Sequence, residues 1–343
     1  MKHNKKAMRT IALLLAAVLM GVMLTACTGG TTEKEKELKT ITVSEVTHSV
    51  FYAPQYVALE LGFFEEEGLK IEMISGEGAD KVMTSLISGA VDIGFSGPEA
   101  AIYIHNEGKE DFAKVFAQVT KRDGSFLMAR EQDDDFTWDK LKGKHLLPGR
   151  KGGVPYMALE YVVKQKGLVP NVDIHFDNSI QFAAMTGAFV GGTGDYVTVF
   201  EPTASSLEKE GKGYIVASVG EEAGEIPYTA YYALNSYIEK NPNIIQGFTN
   251  ALYKAQKWVE SHTAKEIAAA IVPQFPDADM EVMEKAIQRY KDIDAYATAP
   301  MMTEDSFDRL QLVMEEAGEL NQKAPYAEIV DNTFGEKAVK EVK

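Results

Sequence analysis

Lys81-Val82-Met83-Thr84-Ser85-Leu86-Ile87-Ser88-Gly89-Ala90-Val91-Asp92-Ile93-Gly94-Phe95-Ser96-Gly97-Pro98-Glu99 holds the pattern from which the rest of the chain is read. Val82, Leu86 and Ile87 recur at helical spacing, the short apolar run from Val91 to Phe95 reads as a strand, and Ser96-Gly97-Pro98-Glu99 opens another helix. Proline suits a helix start because its fixed φ matches the first turn, where no N–H is required of it. A strand running into a helix N-terminus leaves orphan N–H groups that favour an anion or an electron-rich ligand atom. The same turn also serves as a plain connection in many α/β domains, so the stretch alone specifies helix–strand–helix and leaves both uses open.

Working outward, Thr40–Val46 and Leu69–Ile74 read as strands flanking a helix that begins at Pro54 and stops at Gly62. Phe112–Val119 and Ser125–Ala129 read as two more strands. The acidic run Glu131-Gln132-Asp133-Asp134-Asp135 looks like a solvated crossing between domains. The rhythm then restarts with strands at Lys144–Pro148, Val172–Phe176, Asp195–Phe200 and Gly213–Val219, and helices at Val154–Lys166 and Ser179–Val190. A return crossing is expected near Glu225, followed by a strand at Tyr228–Leu234 and helices begun by Pro242 and Thr303. The expectation is an α/β protein of two lobes, 39–130 plus 226–343 and 131–225, closed by C-terminal helices. Ligands of open α/β sheets collect outside the carboxyl ends of the strands, so two facing lobes make a cleft lined by βα loops.

Upstream of the globular body, Lys2, Lys5, Lys6 and Arg9 precede an apolar run from Ile11 to Leu24, the layout of a secretory signal peptide. Leu24-Thr25-Ala26-Cys27 resembles the bacterial lipobox, so residues 1–26 are expected to be removed and Cys27, the chain's one cysteine, to be lipidated. Residues 27–38 read as a flexible tether. Without residues 1–26, 31 Lys+Arg stand against 51 Asp+Glu, a net charge of −20. Such acidity argues against nucleic acid and against adhesion to anionic lipid, which leaves the acyl chain as the membrane contact.

Two stretches, Tyr56–Leu69 and Leu86–Gly94, resemble the ABC-transporter solute-binding proteins of the nitrate/sulfonate/taurine group, which includes binders of thiamine pyrimidine precursors; Leu141–Lys144, Gly194–Tyr196 and Glu201-Pro202 support the likeness. The resemblance implies a bilobed type II periplasmic-binding-protein fold with a two-segment hinge, and an ABC permease and cytoplasmic ATPase as partners. By position it implies a ligand site from His48, Phe51 and Tyr52, from Ser96 and Gly97, from Arg150, Gly152 and Gly153, and from Tyr196 and Glu201. His48 reads equally as a helix cap, Phe51 as core and Arg150 as a solvated loop charge. Where the family often places a hydroxyl, this chain has Gly152-Gly153-Val154-Pro155.

No nucleophile elbow, metal-spaced His/Asp/Glu cluster or phosphate loop is visible, so no catalytic residue, metal or cofactor is expected. The reading is of a monomeric, lipid-anchored binding subunit that captures a sulfonate, a nitrate-like anion or a planar pyrimidine-type heterocycle. The alternatives are a sensory or adhesion lipoprotein and an enzyme resembling the pyrimidine synthase.

Overall fold

A computed structural model describes residues 38–343, so the signal-like segment and Cys27 lie outside the described residues. In chain order the strands are β1 (Lys39–Glu45), β2 (Leu69–Ser75), β3 (Ile93–Ser96), β4 (Ala113–Thr120), β5 (Ser125–Ala129), β6 (His145–Leu147), β7 (His175–Phe176), β8 (Tyr196–Phe200), β9 (Tyr214–Ser218) and β10 (Thr229–Leu234). They form two five-stranded sheets, ordered β2-β1-β3-β10-β4 and β7-β6-β8-β5-β9.

Each sheet is parallel except for one strand: β10 runs antiparallel between β3 and β4, and β5 antiparallel between β8 and β9. The two odd strands are the first element built after each passage between sheets, which makes the sheets mirror one another in construction. Their inner strands are buried, with Ile41, Val43, Ile93, Leu146 and Val197 fully so, while the edge strand β2 alternates apolar Leu69, Ile71 and Met73 with exposed Lys70 and Glu72. Helices Ala53–Glu60 and Pro242–Ser261 pack on one another over the first sheet, the latter by a stripe of Ile245, Phe248, Leu252 and Val259.

The first passage between sheets differs from the sequence expectation. Ser125–Ala129 pairs with β8 and β9, so the chain leaves the first sheet at Lys121–Gly124 and not near Glu131. The acidic run that suggested a linker lies inside the second sheet's territory, while the true passage is short and carries a fully buried Asp123. The return runs between β9 and β10, around the expected Glu225. The two passages are laddered together, with Ile226 N–H donating to Lys121 O at 3.0 Å and Tyr228 N–H to Thr120 O at 3.1 Å.

The C-terminal helices bridge the sheets. Met280–Asp292 sends Arg289 to Glu201 and Glu208 of the second sheet's helix-forming segment, and Glu304–Glu316 packs on Val154–Gln165. No helix among the described residues is long and apolar enough to cross a membrane.

Candidate functional site

The carboxyl ends of β1, β2 and β3 face the carboxyl ends of β6 and β8, and the amino ends of β5 and β10 complete the ring between them. Contacts cross this crevice directly. Ser49 Oγ lies 3.4 Å from Glu201 O, Glu201 N–H donates to Tyr290 Oη at 3.0 Å, and Tyr290 Oη donates to Gly124 O at 3.2 Å. Arg150, in the loop after β6, places Nη1 3.8 Å from Oδ1 of Asp80, in the first turn of Ala79–Ile87 after β2. That ion pair spans the mouth, and both side chains are more than half exposed, so its worth is small.

Inside, the walls are aromatic. Phe51 sits 4.5 Å from Tyr290, 5.6 Å from Tyr228 and 6.3 Å from Phe200, centroid to centroid. Phe182, at the start of Phe182–Val190, lies 6.1 Å from Phe200 and is 53% exposed, an unusual state for a large apolar side chain. Tyr52 meets Phe95 edge-on at 4.8 Å. Two carboxyls are sunk among these rings. Glu99 begins the helix Glu99–Asn106 and is buried, and burial pushes its carboxyl up to about 7 against the opposing influence of its own backbone N–H and of Arg150. Asp123 is also pushed up to about 7 by burial, although its Oδ1 accepts from the N–H and Oγ of Ser125. Glu99 Oε2 and Asp123 Oδ2 have no hydrogen-bond partner among the described residues.

The structure sorts the residues named from sequence into three groups. Phe51, Tyr52, Gly97 and Arg150 come together at the crevice, and Gly152 and Gly153 stand beside Arg150, with Gly153 the uncapped N-cap of Val154–Gln165. A second group lies nearby with its polar atoms already used. Ser96 Oγ is 2.5 Å from Tyr232 Oη. His48 is held between Glu45 Oε1 at 2.8 Å and Gln274 O at 2.9 Å and packs on Phe275, and the Glu45 hydrogen bond raises its pKa. The Glu201 carboxylate accepts from Ser205 N–H and Oγ at 2.8 Å each and from Arg289 Nη1 at 2.7 Å.

Tyr196 forms the third group and stands apart from the crevice. It opens β8 opposite Ala129 and Leu146, at the end of the strand away from the crevice, with its ring 6.1 Å from Phe136. The crevice residues that sequence reasoning did not name are Glu99, Asp123, Phe182, Phe200 and Tyr228. Phe200 was findable, because it ends the strand that Tyr196 begins.

Two cavities lie elsewhere. One of about 520 Å³ is bordered by Trp138, Lys166 and Glu222 beside β9, and one of about 230 Å³ lies between Asp92 and Tyr237; neither includes a residue of the crevice. Among the described residues no group of three or more His, Cys, Asp or Glu side chains is placed to hold a metal.

Comparison with known proteins agrees with this architecture. The chain matches the NMT1-like family over residues 34–273. It is 45% identical to the binding protein YtlA of Bacillus subtilis (strain 168) over 327 residues, covering 95% of this chain and 96% of YtlA. Two solved structures share the fold at low identity. The alkanesulfonate-binding protein SsuA from Xanthomonas axonopodis pv. citri, bound to MOPS, gives a TM-score of 0.69 at 17% identity over 87% of this chain and 99% of its own. The periplasmic nitrate-binding protein NrtA from Synechocystis PCC 6803 gives 0.68 at 16% identity over 90% of each chain. These relatives are binding proteins and not enzymes. With its two facing α/β sheets and laddered double passage, the chain belongs to the NMT1-like family and has the bilobed fold of the solute-binding proteins of ABC import systems.

Proposed function

We propose that this protein is the ligand-capturing subunit of an ABC importer, tethered by a lipid on Cys27 at the extracytoplasmic face and delivering a small organic nutrient to a permease powered by a cytoplasmic ATPase. One observation carries the reading: an aromatic crevice between the carboxyl ends of two sheets, whose strands are linked by two chain passages, contains buried polar atoms with no protein partner among the described residues. Sheets joined this way can rotate about their passages and close on a bound molecule. The lobes are the residues of each sheet, meeting at Lys121–Gly124 and Val219–Tyr228, and the C-terminal helices ride on both.

The test is a thermal-shift screen of small nutrients followed by small-angle scattering on the best binder. Saturation should shrink the radius of gyration, and Phe182→Ala should weaken binding several-fold by removing one wall. A tight binder that leaves both the scattering curve and the Phe182→Ala affinity unchanged refutes the crevice as the site. The anchor is tested separately, since Cys27→Ser should move the protein out of the membrane fraction.

A further inference from the structure

We infer that Glu99 selects the ligand, and that the ligand it selects is a small flat organic molecule bearing N–H donors, neutral or cationic, and not a bare oxyanion. The inference rests on the crevice being the binding site.

Glu99 is 5% exposed, and its Oε2 has no hydrogen-bond partner among the described residues. A buried polar oxygen left unpaired costs roughly 1–3 kcal/mol, more if charged, and native structures seldom carry one without a use. The carboxyl also lies close against Gly97. A Cβ added at Gly97 would fall 1.9 Å from Glu99 Oε2 and 2.6 Å from its Cδ, so any other residue at 97 would evict the group.

Its surroundings come from every part of the crevice. Tyr52 after β1, Tyr103 on its own helix, Tyr228 on the return passage and Tyr232 on β10 all feel its charge, and Arg150 is the cation that reaches it from the second sheet. None of these groups neutralises it. Tyr232 Oη is engaged by Ser96, and Arg150 stands 58% exposed beside Asp80. The crevice therefore holds two buried carboxyls, Glu99 and Asp123, while Arg150 stands exposed beside Asp80.

An oxyanion entering there would meet like charge once these carboxyls ionise, above about pH 7. A molecule with N–H groups on a flat body would satisfy Oε2 and lie against Tyr52, Tyr228 and Phe200. Burial raises the Glu99 carboxyl to about 7, so donor binding, which favours the ionised form, should tighten as pH rises through neutrality. An oxyanion bound by the protonated acid would show the opposite slope.

Calorimetry on the full chain with benzamidine, 4-aminopyrimidine, sodium nitrate and ethanesulfonate decides the matter. The expected result is binding of at least one N–H probe, tighter at pH 8 than at pH 5.5, and weakened about 10- to 100-fold in Glu99→Gln. The thermal midpoint of unliganded Glu99→Gln should be unchanged or higher, which separates lost recognition from lost folding. Failure of both N–H probes to bind, an affinity that falls with pH, or nitrate or ethanesulfonate binding that survives Glu99→Gln overturns the assignment. The crevice reading itself survives that failure if Phe182→Ala or Tyr228→Ala still weakens whichever probe binds, and falls with it if neither does.

Discussion

Gly124 ends the first passage between the sheets, and replacing it with alanine tests whether that passage is packed as tightly as the structure shows. An ideal Cβ at Gly124 would lie 2.6, 2.7 and 2.8 Å from Cζ, Cε1 and Cε2 of Phe51. Carbon atoms rest at about 3.5–4.0 Å, so the ring must withdraw by roughly 1 Å. It has little room to do so, being 1% exposed and bounded by Tyr290 at 4.5 Å, Tyr52 at 5.4 Å and Tyr228 at 5.6 Å. Overpacking of this kind costs about 1–3 kcal/mol, while alanine recovers about 0.4–1 kcal/mol by restricting the unfolded chain. The net expectation is a loss of about 0–2.6 kcal/mol, read as a lower urea midpoint at unchanged m-value. Phe51→Ala alone should cost about 3–5 kcal/mol, but in the double variant the new methyl occupies space the ring has vacated. The two losses should then sum to more than the double variant shows, by about 1–2 kcal/mol. Strict additivity in the double variant would refute the packing argument.

Arg289→Met should destabilise the protein by about 3 kcal/mol, because it strands the fully buried Glu201 side chain with only Ser205 as donor; Arg289 is 22% exposed, and solvent near it moderates the loss. Equilibrium unfolding measures it, and a loss below about 1 kcal/mol would mean Ser205 suffices. Stability should also fall as pH rises from about 4.5 to 7, because Glu99 and Asp123 keep their protons in the fold over a range where the unfolded chain releases them. Their contribution is fully present below the ordinary carboxyl range and is lost as pH passes 7, with Glu99 contributing about 3 kcal/mol at most. Calorimetric scans should show a shallower pH slope in Glu99→Gln than in the parent, and an unchanged slope would count against the burial of a neutral carboxyl.

The αβ rhythm was legible because each unit is punctuated locally. Gly62, Gly68 and Gly89 sit at φ of 74°, 82° and 72°, a backbone state that glycine enters without penalty, and each stops a helix where the sequence pattern stops. The strand expected from Val172 shrank to His175–Phe176 because a local turn competes with it, Asn171 taking φ 62° and Asp173 Oδ2 accepting from Val169 N–H at 2.8 Å. The passage at Lys121–Gly124 was hidden for a different reason. Alternation places Ser125–Ala129 in a strand but carries no information about which sheet receives it, and a buried passage lacks the solvated composition by which linkers are recognised.

Two comparisons between residues show why the site was only partly readable. Tyr196 and Phe200 stand four apart on one strand, and side-chain alternation puts both on the same face, yet Phe200 borders the crevice and Tyr196 does not, because the crevice lies at the strand's carboxyl end. Strand direction, which the sequence does supply, would have exchanged one for the other. Glu99 and Glu201 are harder to tell apart. Each follows a strand, each stands beside a proline at a helix start, and each is buried. Their fates diverge through a cation 88 residues away: Arg289 reaches Glu201 and makes it structural, whereas no side chain pairs with Glu99 Oε2. A carboxylate's availability for a ligand is set by which partners the finished fold fails to supply, and that shortage first becomes visible when the distant helices have docked.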